Sequence, residues 1–302
     1  MFTVQILLST YNGMKYLDAL VESLLAQQEV SLRILVRDDG STDGTQAMLE
    51  QYQEKGILEW FQGESIKPAQ SFRELMKKAG DAEYYAFCDQ DDFWMPQKLT
   101  TAIGKLKEYA DMVPCLYCGK PQLVNERLEP IQSKRGHHII HATKFGARLI
   151  VRNAIGCTFV FNRRLLDEVN RSEPLFLEMH DIWTYEVCNV LGGFIYYDDA
   201  VPILYRQHSD NTVGTNIQWK KRWKDRVRRF KEKNHDKLKT TQEIYRCFGD
   251  VMDSEKRHVT EMLMNYQHGI RGRIRVMTSR HYSTDSKRMN RNFKIAILLG
   301  IF

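Results

Sequence analysis

The first third of the chain alternates short apolar runs with longer amphipathic ones, a rhythm that predicts a layered α/β fold. Residues 4–8, 33–37, 58–61 and 83–88 read as strands, and residues 15–28, 45–55 and 71–79 as the helices between them. Strand, helix and strand in succession build a mostly parallel sheet with right-handed crossovers, and such sheets bind ligands outside the carboxyl ends of their strands. Three polar segments fall at those ends: residues 9–13, 38–45 and 89–92. One site can therefore collect all three.

The last of them is the most chemically loaded. Asp89, Asp91 and Asp92 stand within four residues, directly after an apolar run. Such a cluster repels itself unless a cation is present, and Mg²⁺ or Mn²⁺, which take oxygen ligands, would satisfy it. A solvated, helix-capping acidic loop is the plain alternative.

Further along, a helix is expected after Pro96, a strand over residues 115–124, and a basic flexible loop over residues 132–153 containing His137, His138 and His141. Residues 156–162 read as β-like, and residues 163–169 begin a helix. The sequence Glu178-Met179-His180-Asp181-Ile182-Trp183 opens another helix, which Gly192-Gly193 ends. Residues 194–197 and 203–206 complete the strands. With 302 residues and 43% hydrophobic content, the chain can form one large domain with an appendage or two modest ones.

The six cysteines are scattered, and only Cys115 and Cys118 have a metal-like spacing. Without a second pair or a suitably spaced histidine they read as plain buried thiols in a reducing compartment. No leader-like N-terminus and no apolar run near the roughly 20 residues of a membrane span is present, which predicts a cytoplasmic protein.

The net charge of +6 conceals a division, because residues 215–302 carry 22 Lys and Arg against 9 Asp and Glu. Trp219, Trp223, Val227 and Phe230 share one helical face there, surrounded by Lys and Arg. That pattern suits a helix lying in an anionic membrane interface, or one packed on the preceding domain with a solvated basic face. Nucleic acid is not the expected partner, because the first 214 residues are net acidic.

Taken in order, the segments 8–13, 37–45 and 87–94 and the pair His180-Asp181 resemble the family 2 glycosyltransferases of the GT-A fold, over roughly residues 1–210. The Asp-Gln-Asp-Asp-x-Trp wording, residues 156–162 and residues 205–211 resemble the bacterial rhamnosyltransferase branch. The resemblance implies a catalytic domain over residues 1–214 and a basic helical region over residues 215–302. It places Thr10, Tyr11 and Asn12 around the nucleotide, Asp39 as acceptor for the N3–H of uracil or thymine, and Asp89 on the ribose or metal. Asp91 would hold the metal, and Asp181 would be the base that takes the acceptor hydroxyl's proton. Asp92, Arg206 and His208 are candidates for diphosphate or acceptor contacts, while Asp38 and Asp43 are read as turn-makers and caps.

The activity implied is inverting, metal-dependent transfer of a sugar, L-rhamnose from its dTDP form or a hexose from a UDP donor. The acceptor would be a lipid-linked or growing cell-surface glycan, with the enzyme peripheral on the inner face of the cell membrane. One departure stands out: Ser65-Ile66-Lys67-Pro68-Ala69-Gln70 replaces the Gly- or Asn-containing turn of many relatives, so the contacts to phosphate and sugar that the family makes there are not carried over.

Overall fold

The computed structural model describes residues 1–131, 140, 142–151, 155–207 and 235–302. The expected alternation is present: β1 (Phe2–Thr10), α1 (Met14–Leu25), β2 (Val30–Asp38), α2 (Thr45–Glu54), β3 (Glu59–Gln62), α3 (Pro68–Lys78) and β4 (Tyr84–Asp89) follow in turn. Then come β5 (Phe93–Trp94), α4 (Lys98–Leu106), β6 (Cys115–Cys118), β7 (Gln122–Val124), α5 (Phe145–Ile150), β8 (Val160–Asn162), α6 (Arg163–Arg171), α7 (His180–Val190), β9 (Phe194–Tyr197) and β10 (Ile203–Arg206). Among the described residues the chain closes with α8 (Asp236–Phe248), α9 (Ser254–Met264), α10 (Gly269–Thr278) and α11 (Lys287–Leu299).

Seven strands form the central sheet in the order β3-β2-β1-β4-β8-β6-β9. β1 pairs parallel with β2 and β4, β2 with β3, and β6 with β9, whereas β8 runs antiparallel between β4 and β6. The sheet is thus mostly parallel, with a smaller sheet β5-β10-β7 beside it. Alternate strand residues serve opposite layers. Val4, Ile6 and Leu8 pack with α1, α2 and α4, while Leu7, Tyr85 and Phe87 pack with α3, α6, α7 and α8.

The register delivers the site. Ser9 of β1 pairs with Asp89 of β4, and Thr10 with Asp38 of β2, so the three polar loops leave the sheet side by side.

Three local expectations are corrected. The single strand foreseen over residues 115–124 breaks into β6 and β7, which belong to different sheets. Pro121 has no N–H to extend the ladder, and Gly119 lies so near Pro202 that a Cβ would meet its ring at 2.5 Å. Residues 156–158 form a 3₁₀ turn, leaving only Val160–Asn162 as strand. The foreseen basic loop contains α5, because Ala147, Leu149 and Ile150 are buried against Val259, Leu263 and Tyr282. His137, His138 and His141, like the Trp219 to Phe230 face, lie outside the described residues.

Ile244 and Phe248 of α8 share the core that holds Trp183 of α7. At the end of the chain, Phe293, Ile297 and Phe302 are buried with Tyr266 and Tyr282, so part of that apolar segment is spent on internal packing.

Candidate active site

The acidic loop folds back on the end of β4. The Asp92 N–H bonds the Asp89 carbonyl at 3.2 Å, and Asp92 Oδ2 accepts from the Asp89 N–H at 3.4 Å. Asp92 is fully buried, and among the described residues its Oδ1 has no hydrogen-bond partner. Burial, Asp91 and Asp181 push the Asp89 carboxyl up to about 7, while Lys98 counters them. Burial and then Asp89 and Asp91 drive Asp92 up as well.

Lys98 is the internal counter-charge. It is 1% exposed, donates to the Cys157 carbonyl at 2.7 Å and lies 3.1 Å from the centre of the Trp94 ring. Burial lowers its pKa to about 8. Burial and mutual repulsion among the carboxylates outweigh the Lys98 ammonium at Asp89 and Asp92, so both carboxyls are raised.

Ligand-capable atoms of Asp89, Asp92 and Cys157 lie within 4.8 Å of one another. Two carboxylates, one with an unpartnered oxygen, fit a hard divalent cation. The Cys157 thiol, held protonated by burial and by Asp92, is a poorer partner for one. Asp91, foreseen as a metal ligand, is not part of this group; its carbonyl accepts from Arg206 Nε at 3.1 Å.

The loop after β1 is tied to the acidic loop by Gln90. Its Oε1 accepts from Thr10 Oγ1 and from the Tyr11 N–H, both at 2.7 Å, and its Nε2 donates to the Tyr11 carbonyl at 3.0 Å. A Cβ on Gly13 would lie 2.5 Å from that Oε1. Asn12, with φ of 50°, accepts from the Thr42 N–H at 2.8 Å, and its own N–H donates to Ser41 Oγ at 2.8 Å. Thr10 and Asn12 therefore use their side chains to join loops, whereas Tyr11 is 51% exposed.

Asp38 accepts from the Gly40 and Ser41 N–H groups and from Gln46, and Asp43 accepts from Thr45 and the Met14 N–H. Asp39 is buried as well and is bonded by Arg37 and Ser71.

Asp181 stands at the start of α7, where the positive end of the helix faces its carboxylate. Its Oδ2 accepts from the Gly156 N–H at 3.0 Å and its Oδ1 from the Ile182 N–H at 2.7 Å. A Cβ on Gly156 would lie 2.8 Å from Asp181 Cβ, so only glycine permits this approach. His180 beneath it is buried, with its ring stacked 3.8 Å from that of Phe72 and edge-on to Phe87; burial lowers its pKa to about 3. Arg206 donates to the Asp91 and Glu126 carbonyls and lies over Tyr16, bracing the acidic loop from β10. His208 lies outside the described residues.

The structure thus brings Asp91, Asp92 and Asp181 into electrostatic reach of Asp89, beside Thr10, Tyr11, Asn12 and Asp39. Gln90, Lys98, Gly156 and Cys157 were not anticipated as part of the site.

A mostly parallel sheet flanked by helices, with a carboxylate cluster at the strand ends, defines the GT-A class. Residues 5–169 match the family described as Glycosyl transferase family 2, and the chain belongs to that family. It is 27% identical over 233 residues to the dTDP-rhamnosyl transferase RfbG of Shigella flexneri, covering 72% of this chain and 77% of that one. A shorter match, 31% identical over 100 residues and covering 33% of this chain and 39% of the relative, is to an Escherichia coli β-1,3-glucosyltransferase, WfaP, which uses UDP-Glc. Among solved structures, S. aureus TarS 1-349 in complex with UDP-GlcNAc superposes with a TM-score of 0.58 at 17% identity, covering 99% of this chain and 90% of that one. The mannosyltransferase PcManGT of Pyrobaculum calidifontis, in complex with GDP-Man and Mn²⁺, gives 0.52 at 14% identity, covering 99% and 80%. These structural likenesses establish the fold alone.

Proposed function

We propose that the protein is an inverting glycosyltransferase that moves L-rhamnose from dTDP-L-rhamnose to a growing, lipid-linked cell-surface glycan. The observation that carries the transferase chemistry is the Asp181 carboxylate, fixed by two N–H groups beside Asp89. Asp181 accepts the acceptor hydroxyl's proton as that oxygen attacks the anomeric carbon from the face opposite the nucleotide. Asp39 accepts from the base ring N–H, and the exposed ring of Tyr11 is available to lie against the base. Asp89 and Asp92, with Asp91 on the same loop, would hold a divalent cation, Mg²⁺ or Mn²⁺. Bound there, it would neutralise charge on the departing nucleoside diphosphate.

The dTDP-rhamnose assignment rests on the relative RfbG, and a UDP-hexose donor is the competing reading, favoured by the WfaP match. Calorimetric titration with dTDP, UDP and GDP, each with and without Mn²⁺, separates them. Tighter metal-dependent binding of dTDP supports rhamnose; preference for UDP discards it and keeps the transferase.

The tail is proposed to face an anionic membrane. Ile270 and Ile274 on α10 and Ile295, Leu298 and Leu299 on α11 are exposed, and residues 269–302 carry eight Lys and Arg against one acid. Among the described residues no helix is long and apolar enough to cross a membrane. Co-sedimentation with phosphatidylglycerol vesicles that survives Ile295→Glu and Leu298→Glu would place the contact elsewhere.

A further inference from the structure

Arg37, near the end of β2, is 1% exposed and sits beneath the nucleotide loops. Every nitrogen of its guanidinium is used. Nε donates to Glu74 at 2.8 Å, Nη2 to the Glu64 carbonyl at 3.1 Å, and Nη1 to Asp39 Oδ1 and, at 3.4 Å, to Ser71 Oγ. Ser71 Oγ donates to the same Asp39 Oδ1 at 3.0 Å and lies 2.7 Å from Ser9 Oγ. Gly63 makes room for this, because any Cβ there would overlap the guanidinium. A buried arginine is tolerable only with such complete pairing.

Both bonds to Asp39 converge on one oxygen. Among the described residues no hydrogen bond reaches Asp39 Oδ2. We infer that Arg37 and Ser71 are positioning residues that commit Asp39 Oδ1 to the protein and offer Oδ2 alone to the nucleotide, so that the site selects bases presenting a ring N–H. This rests on the reading of Asp39 as the base-recognising carboxylate.

The selectivity follows from donor and acceptor arithmetic. Uracil, thymine and guanine present a ring N–H at their pairing edge, whereas cytosine and adenine present a lone pair. A carboxylate opposite a lone pair leaves two acceptors facing each other unpaired, which is costly in a buried site. An Asp39 carboxylate turned away from the base edge would lose the distinction. The guanidinium and the second bond from Ser71 both hold Oδ1 and so disfavour that rotation.

The test compares the affinities of UDP, dTDP and CDP for the full chain in Mn²⁺, for wild type, Asp39→Asn, Ser71→Ala and Arg37→Lys. Asp39→Asn should abolish the preference for UDP over CDP. Ser71→Ala, which removes one hydroxyl and should fold, should narrow that preference about tenfold by weakening UDP and dTDP while leaving CDP unchanged. Arg37→Lys, which keeps charge but loses the fork, should narrow it at least as much. An Asp39→Asn protein with undiminished preference overturns the reading of Asp39 and the clamp with it. Narrowing by Asp39→Asn, combined with undiminished preference or equal weakening of UDP and CDP in Ser71→Ala, overturns the clamp alone.

Discussion

In chelator the protein should become less stable as pH rises from about 4 to 7, and a divalent cation should cancel that loss. Burial, Asp91 and Asp181 raise the Asp89 carboxyl from 3.8 to about 7. The unfolded chain releases this proton near pH 4, whereas the folded chain keeps it until near neutrality. The group's contribution is therefore fully present below pH 4 and is lost as pH rises to 7. Three pH units correspond to about 4 kcal/mol for an isolated, fully buried group. Partial solvent contact of Asp89 and shared titration with Asp92 reduce this to on the order of 2 kcal/mol, or a Tm difference of about 5 °C. Scanning calorimetry from pH 4 to 8, with chelator and with Mn²⁺, reads it. In chelator the wild type should lose stability with pH relative to Asp89→Asn, and Mn²⁺ should restore it most at the alkaline end. Parallel wild-type and Asp89→Asn curves in chelator would refute the reasoning.

Asp181→Asn should lower turnover by several powers of ten with donor affinity nearly unchanged, because the lost interaction acts only in the transition state. Gly156→Ala should cost about a hundredfold in turnover by displacing the same carboxylate, and a fully active variant would show that the contact is dispensable. Lys98→Met leaves the Cys157 carbonyl without its buried donor and should cost about 2 kcal/mol in urea unfolding. His180 is neutral when folded and takes a proton on unfolding below about pH 6.5, so its burial destabilises the fold progressively in acid. His180→Phe should therefore gain about 2 kcal/mol relative to wild type near pH 4.5, and an unchanged acid midpoint would contradict this.

Much of the fold was legible because buried parallel strands are near-continuous apolar runs closed by polar loops, as in the stretch from Tyr84 to Asp89. The carboxylates were legible for the same reason, since they follow those runs directly. Lys98 was not, because a lysine in a helix reads as solvent-facing; its burial depends on a carbonyl 59 residues away and on the Trp94 ring. Gly156 and Cys157 carried no spacing signal, as their relation to Asp181 and Asp92 exists only once β8 has inserted antiparallel beside β4. Arg37 ends a predicted strand, and nothing local announced that Gly63 would leave a space for it.

Helix α7 carries Asp181 at its first turn and is pressed between the sheet on one side and α8 on the other, with Trp183 close to Phe248. The basic tail is therefore a poor candidate for trimming. Ending the chain near residue 215 to make a minimal enzyme would strip the outer wall from the helix that aims the base. It would expose Trp183 and Val187 to water, and the truncated protein would be expected to lose turnover and solubility together.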